Sequence, residues 1–266
     1  MKRLAAWTAS RVLWIVFWLC ACVIVAFLAF PLLKMAFGVN PRILGETALD
    51  SAVVRAILLT IYAALMATFA GCVFGVPLAY VLAKAEFPGK RVIESVVDLP
   101  IVVPHTAAGI ALLFVFGRSF FVGRLFGTIG VEFVDSTAGI VIAMLFVSVP
   151  FLINSAKEGF RKVDVRLEKA ARSLGASPWQ AFFRVSLPLC RQNILTGGIM
   201  MWARGISEFG AVIILTYHPM TAPVLIYERF ETLGLKYAQP VAVLLIMVTV
   251  IVFIGLRVLL YRRERV

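Results

Sequence analysis

Apolar side chains fall along this chain in long blocks separated by short charged ones, without the strict alternation of a half-buried strand. Six blocks, at about 12–36, 54–83, 99–117, 138–156, 194–216 and 239–260, reach the roughly 20 apolar residues with which a helix crosses a bilayer. The pattern predicts an all-α, polytopic membrane protein with six transmembrane helices. Since the blocks recur along the whole sequence, no stretch is left for a separate soluble unit, and residues 1–266 are expected to form a single transmembrane domain.

Within the second block a small residue recurs at every fourth position: Ala63, Ala67, Gly71, Gly75, Ala79 and Ala83. One such pair is common in membrane helices. Six in register predict a tight helix contact, within this chain or between two copies, because small side chains let backbones approach closely in lipid. The first block follows Lys2, Arg3 and Arg11, as a secretory signal would. Its apolar run over 12–31 exceeds a signal's hydrophobic region, however, and predicts a retained anchor.

A mean hydropathy of +0.98 and 15% charged residues, against about 25% in ordinary soluble domains, exclude a typical globular protein. The net charge of +12 matters through its placement. Lys and Arg number 18 in the N-terminal segment and the intervals 84–98, 157–193 and 257–265, but 7 on the opposite side, with Arg204 left over, away from the ends of its block. This positive-inside bias predicts a multi-pass protein of the cell membrane with both termini and the 157–193 interval in the cytoplasm. Cys20, Cys22 and Cys72 lie in apolar blocks and Cys190 beside Arg191, so no disulfide is expected.

The 157–193 interval holds a sharply punctuated island, LEKAARSLGASPWQAFFRVSLP at 167–188. Leu167, Ala170, Ala171 and Leu174 recur at helical spacing, with Asp164 as a cap before them and Gly175 where a left-handed turn ends a helix. Ser177, Pro178 and Gln180 then spell the start of a second helix with a capping box, and Trp179, Phe182 and Phe183 form its apolar face. Two short helices across a glycine turn also describe a DNA-binding helix-turn-helix. A recognition helix needs polar or basic side chains against base edges, which this one lacks, so nucleic acid is not an expected partner. A hairpin lying on lipid headgroups would account for the aromatics but not for the paired caps.

This segment resembles the cytoplasmic signature of binding-protein-dependent ABC transporter permeases, E-A-A-x-x-x-G followed after nine residues by I-x-L-P. Ala170, Ala171, Gly175, Leu187 and Pro188 match at the required spacing. Lys169 occupies the glutamate place, with Glu168 one residue earlier, and Val185 replaces isoleucine. The resemblance implies a rigid coupling element that docks in a groove of a cytoplasmic ATPase subunit. Glu168, Ala170, Ala171, Gly175, Ala176, Trp179, Phe182, Phe183, Leu187 and Pro188 are the expected coupling residues, with the buried aromatics as anchors.

Catalytic motifs are missing. No G-x-x-x-x-G-K-[ST] phosphate loop occurs, FPGKR at 87–91 lacks its first glycine, and no Cys/His set has metal-ligand spacing. The chain is expected to be a non-enzymatic membrane subunit without metal or cofactor. Inside the blocks, Arg204 and Glu208 stand at i and i+4 with Ser207 on the same face. Charges at that depth are costly and face a bundle interior or a wet pathway, so these residues form either a self-neutralising pair or a pathway lining for an anion. His105, between the prolines at 100 and 104 and a helix start, fits either packing or the same lining.

Two further stretches, DLPIVVPHTAAGIALL at 98–113 and ARGISEFGAVIIL at 203–215, resemble oxyanion permeases, most closely those for molybdate and tungstate. The resemblance implies an ABC importer that carries molybdate or tungstate into the cytoplasm. Its partners would be a second copy of the chain in a homodimer, two cytoplasmic ATP-binding subunits, an extracellular oxyanion-binding protein and the lipid bilayer. A sulfate permease is the neighbouring alternative. A proton-coupled secondary transporter relaying through His105, Arg204 and Glu208 is the alternative from another class.

Overall fold

The computed structural model describes residues 2–262, and no strand occurs among them. In chain order the helices are α1 (Lys2–Phe37), α2 (Pro41–Leu49), α3 (Ser51–Lys84), α4 (Lys90–Val102), α5 (His105–Phe116), α6 (Phe121–Gly127) and α7 (Thr137–Lys162). There follow α8 (Val165–Ser173), α9 (Pro178–Ala181), a π-helical turn (Phe182–Ser186), α10 (Leu187–Ile206), α11 (Gly210–Leu215), α12 (Ala222–Leu233) and α13 (Leu235–Arg262).

The centre is a three-helix packing of α3, α7 and α10. Its closeness follows from glycine and alanine. Ala63, Ala67, Gly71, Gly75 and Ala79 are all buried, and a Cβ on Gly71 would come within 2.6 Å of Met201 on α10. At Gly75 the nearest atom would be Ile153 Cγ1 on α7, at 3.1 Å. The small-residue ridge therefore makes its contact inside this chain. On the facing helices Gly159 and Gly197 play the reciprocal part, approached by Asn193 and Ser155. In lipid, such packing replaces the hydrophobic drive as the source of association.

Among the described residues four helices are long and apolar enough to cross a membrane: α1 from Leu13, α3, α7 and α13 up to Leu256. The third and fifth expected spans are broken. Residues 90–116 form α4 and α5 bent by 116° at Val103–Pro104, where the proline ring removes a helical donor and restricts the residue before it. Counting that pair as one gives five spans. The fifth block starts as a helix earlier than expected, at Leu187, and stops at Ile206, with α11 resuming after Ser207–Phe209. Gln192, Asn193 and Arg204 lower its hydropathy, and the Arg204 guanidinium is met by Glu208 rather than lipid. The fourth span is longer than its apolar block and runs on to Lys162, so the expected 157–193 interval shrinks to the stretch between α7 and α10. The C-terminal Arg263 and Arg265, counted in the charge bias, lie outside the described residues.

α12 and α13 pack on each other and on the first turns of α3, where the Ala222 amide donates to Thr60 Oγ1 at 2.8 Å and Arg229 meets Asp50 at 2.6 Å. None of the strongly apolar part of α1 is buried by the rest of the chain.

Candidate functional site

At one end of the bundle, α8, α9 and the π-helical turn form an elbow. Asp164 caps α8 through the Arg166 amide at 2.8 Å. Gly175 takes φ +90°, a left-handed conformation that glycine adopts freely, and the chain reverses. Ser177 and Gln180 close the capping box by exchanging bonds at 3.2 and 2.8 Å.

Glu168 fastens this elbow to the bundle. Its carboxylate accepts from Ser186 Oγ at 2.7 Å and Tyr80 Oη at 3.0 Å, and lies 3.3 Å from Lys84 Nζ. Lys84 also donates to the Val163 carbonyl at 2.7 Å. Burial works to raise the Glu168 carboxyl, but the Ser186 and Tyr80 hydrogen bonds and the Lys84 ammonium outweigh it and hold it below its ordinary 4.5. Phe182 adds an apolar tie, stacking edge-on against Tyr80 at 4.9 Å and beside Phe160 at 6.1 Å.

The remaining residues expected to couple divide between surfaces. Trp179 and Phe183 stack on each other at 6.0 Å and, with Pro178, Phe182 and Leu187, line an apolar groove of about 590 Å³ against Cys72–Val81 of α3. Leu174 at the tip of the elbow is 90% exposed, and Leu167 is half exposed. Ala170, Gly175 and Pro188 are also exposed, whereas Ala171 and Ala176 are half-buried.

The second constellation lies where both broken spans meet. α5 packs closely on α11 because Gly109 and Gly210 leave no side chain between them: a Cβ on Gly210 would come within 2.7 Å of His105 Cβ, and one on Gly109 within 3.0 Å of the Ala211 backbone. This brings His105 to Glu208. The Glu208 carboxylate, 1% exposed, faces His105 Nδ1 at 2.8 Å, Arg204 Nη2 at 3.0 Å and the Ala211 amide at 2.8 Å. Arg204 Nη2 in turn lies 2.8 Å from His105 Nε2, and Nη1 donates to Ser207 Oγ at 3.2 Å. Nη2 also lies 2.9 Å from Nδ1, so it sits across the ring edge; if Nδ1–H donates to Glu208, Nε2 is the nitrogen left to accept from Arg204. Both readings of the Arg204–Glu208 pair meet here, since Glu208 is interior while the Arg204 and His105 side chains keep 25% and 36% of their surface accessible and Ser207 is exposed.

A profile described as the binding-protein-dependent transport system inner membrane component matches residues 75–266. The chain belongs to that family. As an inner membrane component it has relatives of similar length. The molybdate/tungstate transport system permease protein WtpB of Thermococcus kodakarensis is 43% identical over 91% of this chain and 93% of its own. The corresponding protein of Methanocaldococcus jannaschii is 40% identical over 87% and 90%. A probable sulfate transport system permease protein of Chlorokybus atmophyticus is 34% identical over 79% and 75%. Among solved structures, a bacterial ABC transporter involved in import of the acidic polysaccharide alginate has the same fold, with a TM-score of 0.74 at 16% identity over 96% of this chain and 98% of that one.

Several residues of this inner membrane component escaped the sequence pattern. Tyr80, Lys84 and Ser186 gave no signal as partners of Glu168, because 88 and 84 positions along the chain separate the first two from it. Gly109 and Gly210 looked like ordinary membrane glycines. A third polar set joins α4 to α7: Asn154 donates to Asp98 at 2.6 Å, and Glu94 accepts from Lys157 at 3.2 Å and Arg161 at 3.1 Å.

Proposed function

We propose that this inner membrane component is the permease subunit of an ABC importer for molybdate or tungstate. It works as a homodimer in the cell membrane with both termini cytoplasmic, fed by an extracellular oxyanion-binding protein and driven by two cytoplasmic ATP-binding subunits. The observation that carries the substrate class is the 43% identity sustained across nine-tenths of both chains with a molybdate/tungstate permease, against 34% over a shorter stretch for the sulfate relative. Missing phosphate-loop residues support ATP hydrolysis by a partner. The uncovered α1 supports assembly with a second copy.

A tetrahedral dianion passing between the broken spans would meet the Arg204 guanidinium, the Ser207 hydroxyl and His105. Glu208 cancels the arginine charge from behind. The hold on the anion is therefore weak, which suits a place of passage better than a trap would. At the other end, the stiffened elbow couples the bundle to the ATPase, with Glu168 and Phe182 fixing it from inside and its exposed tip making the contact.

Proteoliposomes holding the permease, its ATP-binding subunit and its binding protein should accumulate molybdate and tungstate, read by mass spectrometry, only with ATP, and should do so equally when the proton gradient is collapsed. Accumulation without ATP would overturn the reading. Uptake of sulfate in preference to both would move the substrate to the neighbouring class.

A further inference from the structure

Position 169 carries lysine where the permease signature has glutamate, and the neighbouring acid, Glu168, is turned inward and fully engaged by Ser186, Tyr80 and Lys84. The outward face of α8 is left with one sign of charge. Arg166, Lys169 and Arg172 recur every third residue, within about a third of the helix circumference. All three are exposed, and among the described residues none of them forms an ion pair. Lys169 and Arg172 line, with Ser173, Gly175, Ala176 and Pro178, an open cleft of about 540 Å³ at the inside of the elbow. Beside it stands Leu174, bare at the tip.

We propose that this cleft receives a carboxylate from the surface of the ATP-binding subunit, so that the permease reads its motor through an acidic contact of opposite sign to the one the signature glutamate would make. The inference rests on the coupling role of the elbow given above. Charge complementarity decides the occupant: two unpaired cations converge on a concave surface whose neighbouring glycine and alanine leave room for a side chain. Anionic lipid headgroups share that chemistry, but the cleft's position favours protein. Pro178 separates it from the apolar groove, which alone includes residues of α3, whereas the cleft is lined entirely by the loop. In addition, α7 with 26 residues is about 39 Å long, longer than the roughly 30 Å hydrocarbon core, and α8 begins beyond its end.

The test uses the full-length permease co-expressed with the ATP-binding subunit of its own transporter, in nanodiscs of neutral phosphatidylcholine. Binding of the ATP-binding subunit is measured for the wild type, Lys169→Glu, Lys169→Glu with Arg172→Glu, and Leu174→Asp. The double charge reversal should weaken association by at least about tenfold and abolish its weakening by salt between about 0.1 and 0.5 M. Changing one acidic surface residue of the ATP-binding subunit to lysine should restore binding to Lys169→Glu. Unchanged or tighter binding after charge reversal overturns the inference. So does an effect that appears only when anionic lipid is added, which would assign the cations to headgroups. If Leu174→Asp disrupts the complex while charge reversal does not, the coupling role stands and the acidic contact falls. If neither variant disrupts it, the coupling role itself falls.

Discussion

Replacing Glu208 by alanine removes the acceptor on which three donors converge. His105 Nδ1, Arg204 Nη2 and the Ala211 amide lie 2.8, 3.0 and 2.8 Å from its oxygens, and the carboxylate is 1% exposed. Deleting one partner of a fully buried pair costs about 3 to 5 kcal/mol, and solvent at the quarter-exposed Arg204 brings the expected cost to about 2 to 4 kcal/mol. For a chain of this size each kcal/mol moves the melting midpoint by about 2 to 4 °C, so Glu208→Ala should lower it by roughly 10 °C. Purified permease in detergent, followed by tryptophan fluorescence on heating, reads this directly. The companion variant carries Arg204→Met and Glu208→Met together. Replacing both charges by apolar side chains of similar length leaves no uncompensated ion, so the double variant should lie within a few degrees of wild type. ATP-driven uptake then separates the two roles. A double variant that is stable but inactive assigns Arg204 to the anion's path, and one that is stable and active assigns the pair to helix packing alone. A midpoint for Glu208→Ala within about 2 °C of wild type, or a double variant worse than the single one, would refute the reasoning.

Phe182→Ala should loosen the elbow, at about 3 kcal/mol, because the ring packs against Tyr80 and Phe160; Trp179→Ala, at an exposed ring, should not, and limited proteolysis between α7 and α10 distinguishes them. Gly109→Ala forces a Cβ to within 2.8 Å of Ile214 and 3.0 Å of the Ala211 backbone, costing about 1 to 3 kcal/mol in a melting assay, while Gly127→Ala, with nothing within 4 Å, should leave the midpoint unchanged. The Glu168 carboxyl lies below its ordinary 4.5 in the folded chain, so its stabilisation is complete above that value and is lost as pH falls through the lower folded one. Elbow proteolysis at fixed protease activity should therefore be flat from neutral pH down to about 5 and rise below 4.5, and Glu168→Gln should remove the rise.

How far the sequence reached depended on whether a signal was local. The elbow was legible because capping is a short-range code: Asp164, Gly175, Ser177 and Gln180 each act within a few residues, and the structure places every one of them in the expected role. The α3 ridge was legible as a contact but not in its partner, since periodicity reports a face and not what lies against it. The break in span five went unseen for a related reason, while that in span three was signalled by the prolines at 100 and 104 but not in its extent. Hydropathy averages over a window, whereas Pro104 and the Ser207–Phe209 break act at single positions, and Arg204 of α10 is admissible because Glu208 and His105 of α5 meet it. Arg204 and Glu208 could be paired from their spacing, yet His105 joins them across 99 and 103 positions by virtue of two glycines.

Both constellations share one rigid element. α10 begins at Leu187, directly after the π-helical turn whose Ser186 holds Glu168, and ends at Ile206, one residue before the break that carries Ser207 and Glu208. The helix of twenty residues, about 30 Å long, thus runs without interruption from the elbow past Arg204. The close approach of α10 to α3 and α7 resists bending along that length, because Gly71, Gly159 and Gly197 leave no slack for side chains to absorb. At the far end the backbone is irregular, and α11 is only six residues long. Under the proposed coupling, a displacement at the elbow would reach the irregular backbone at Ser207–Phe209, where the Arg204–Glu208–His105 contacts join α10 to α5. Two arrangements of that junction, biased by what docks at the elbow, are sufficient to open and close a path between the broken spans.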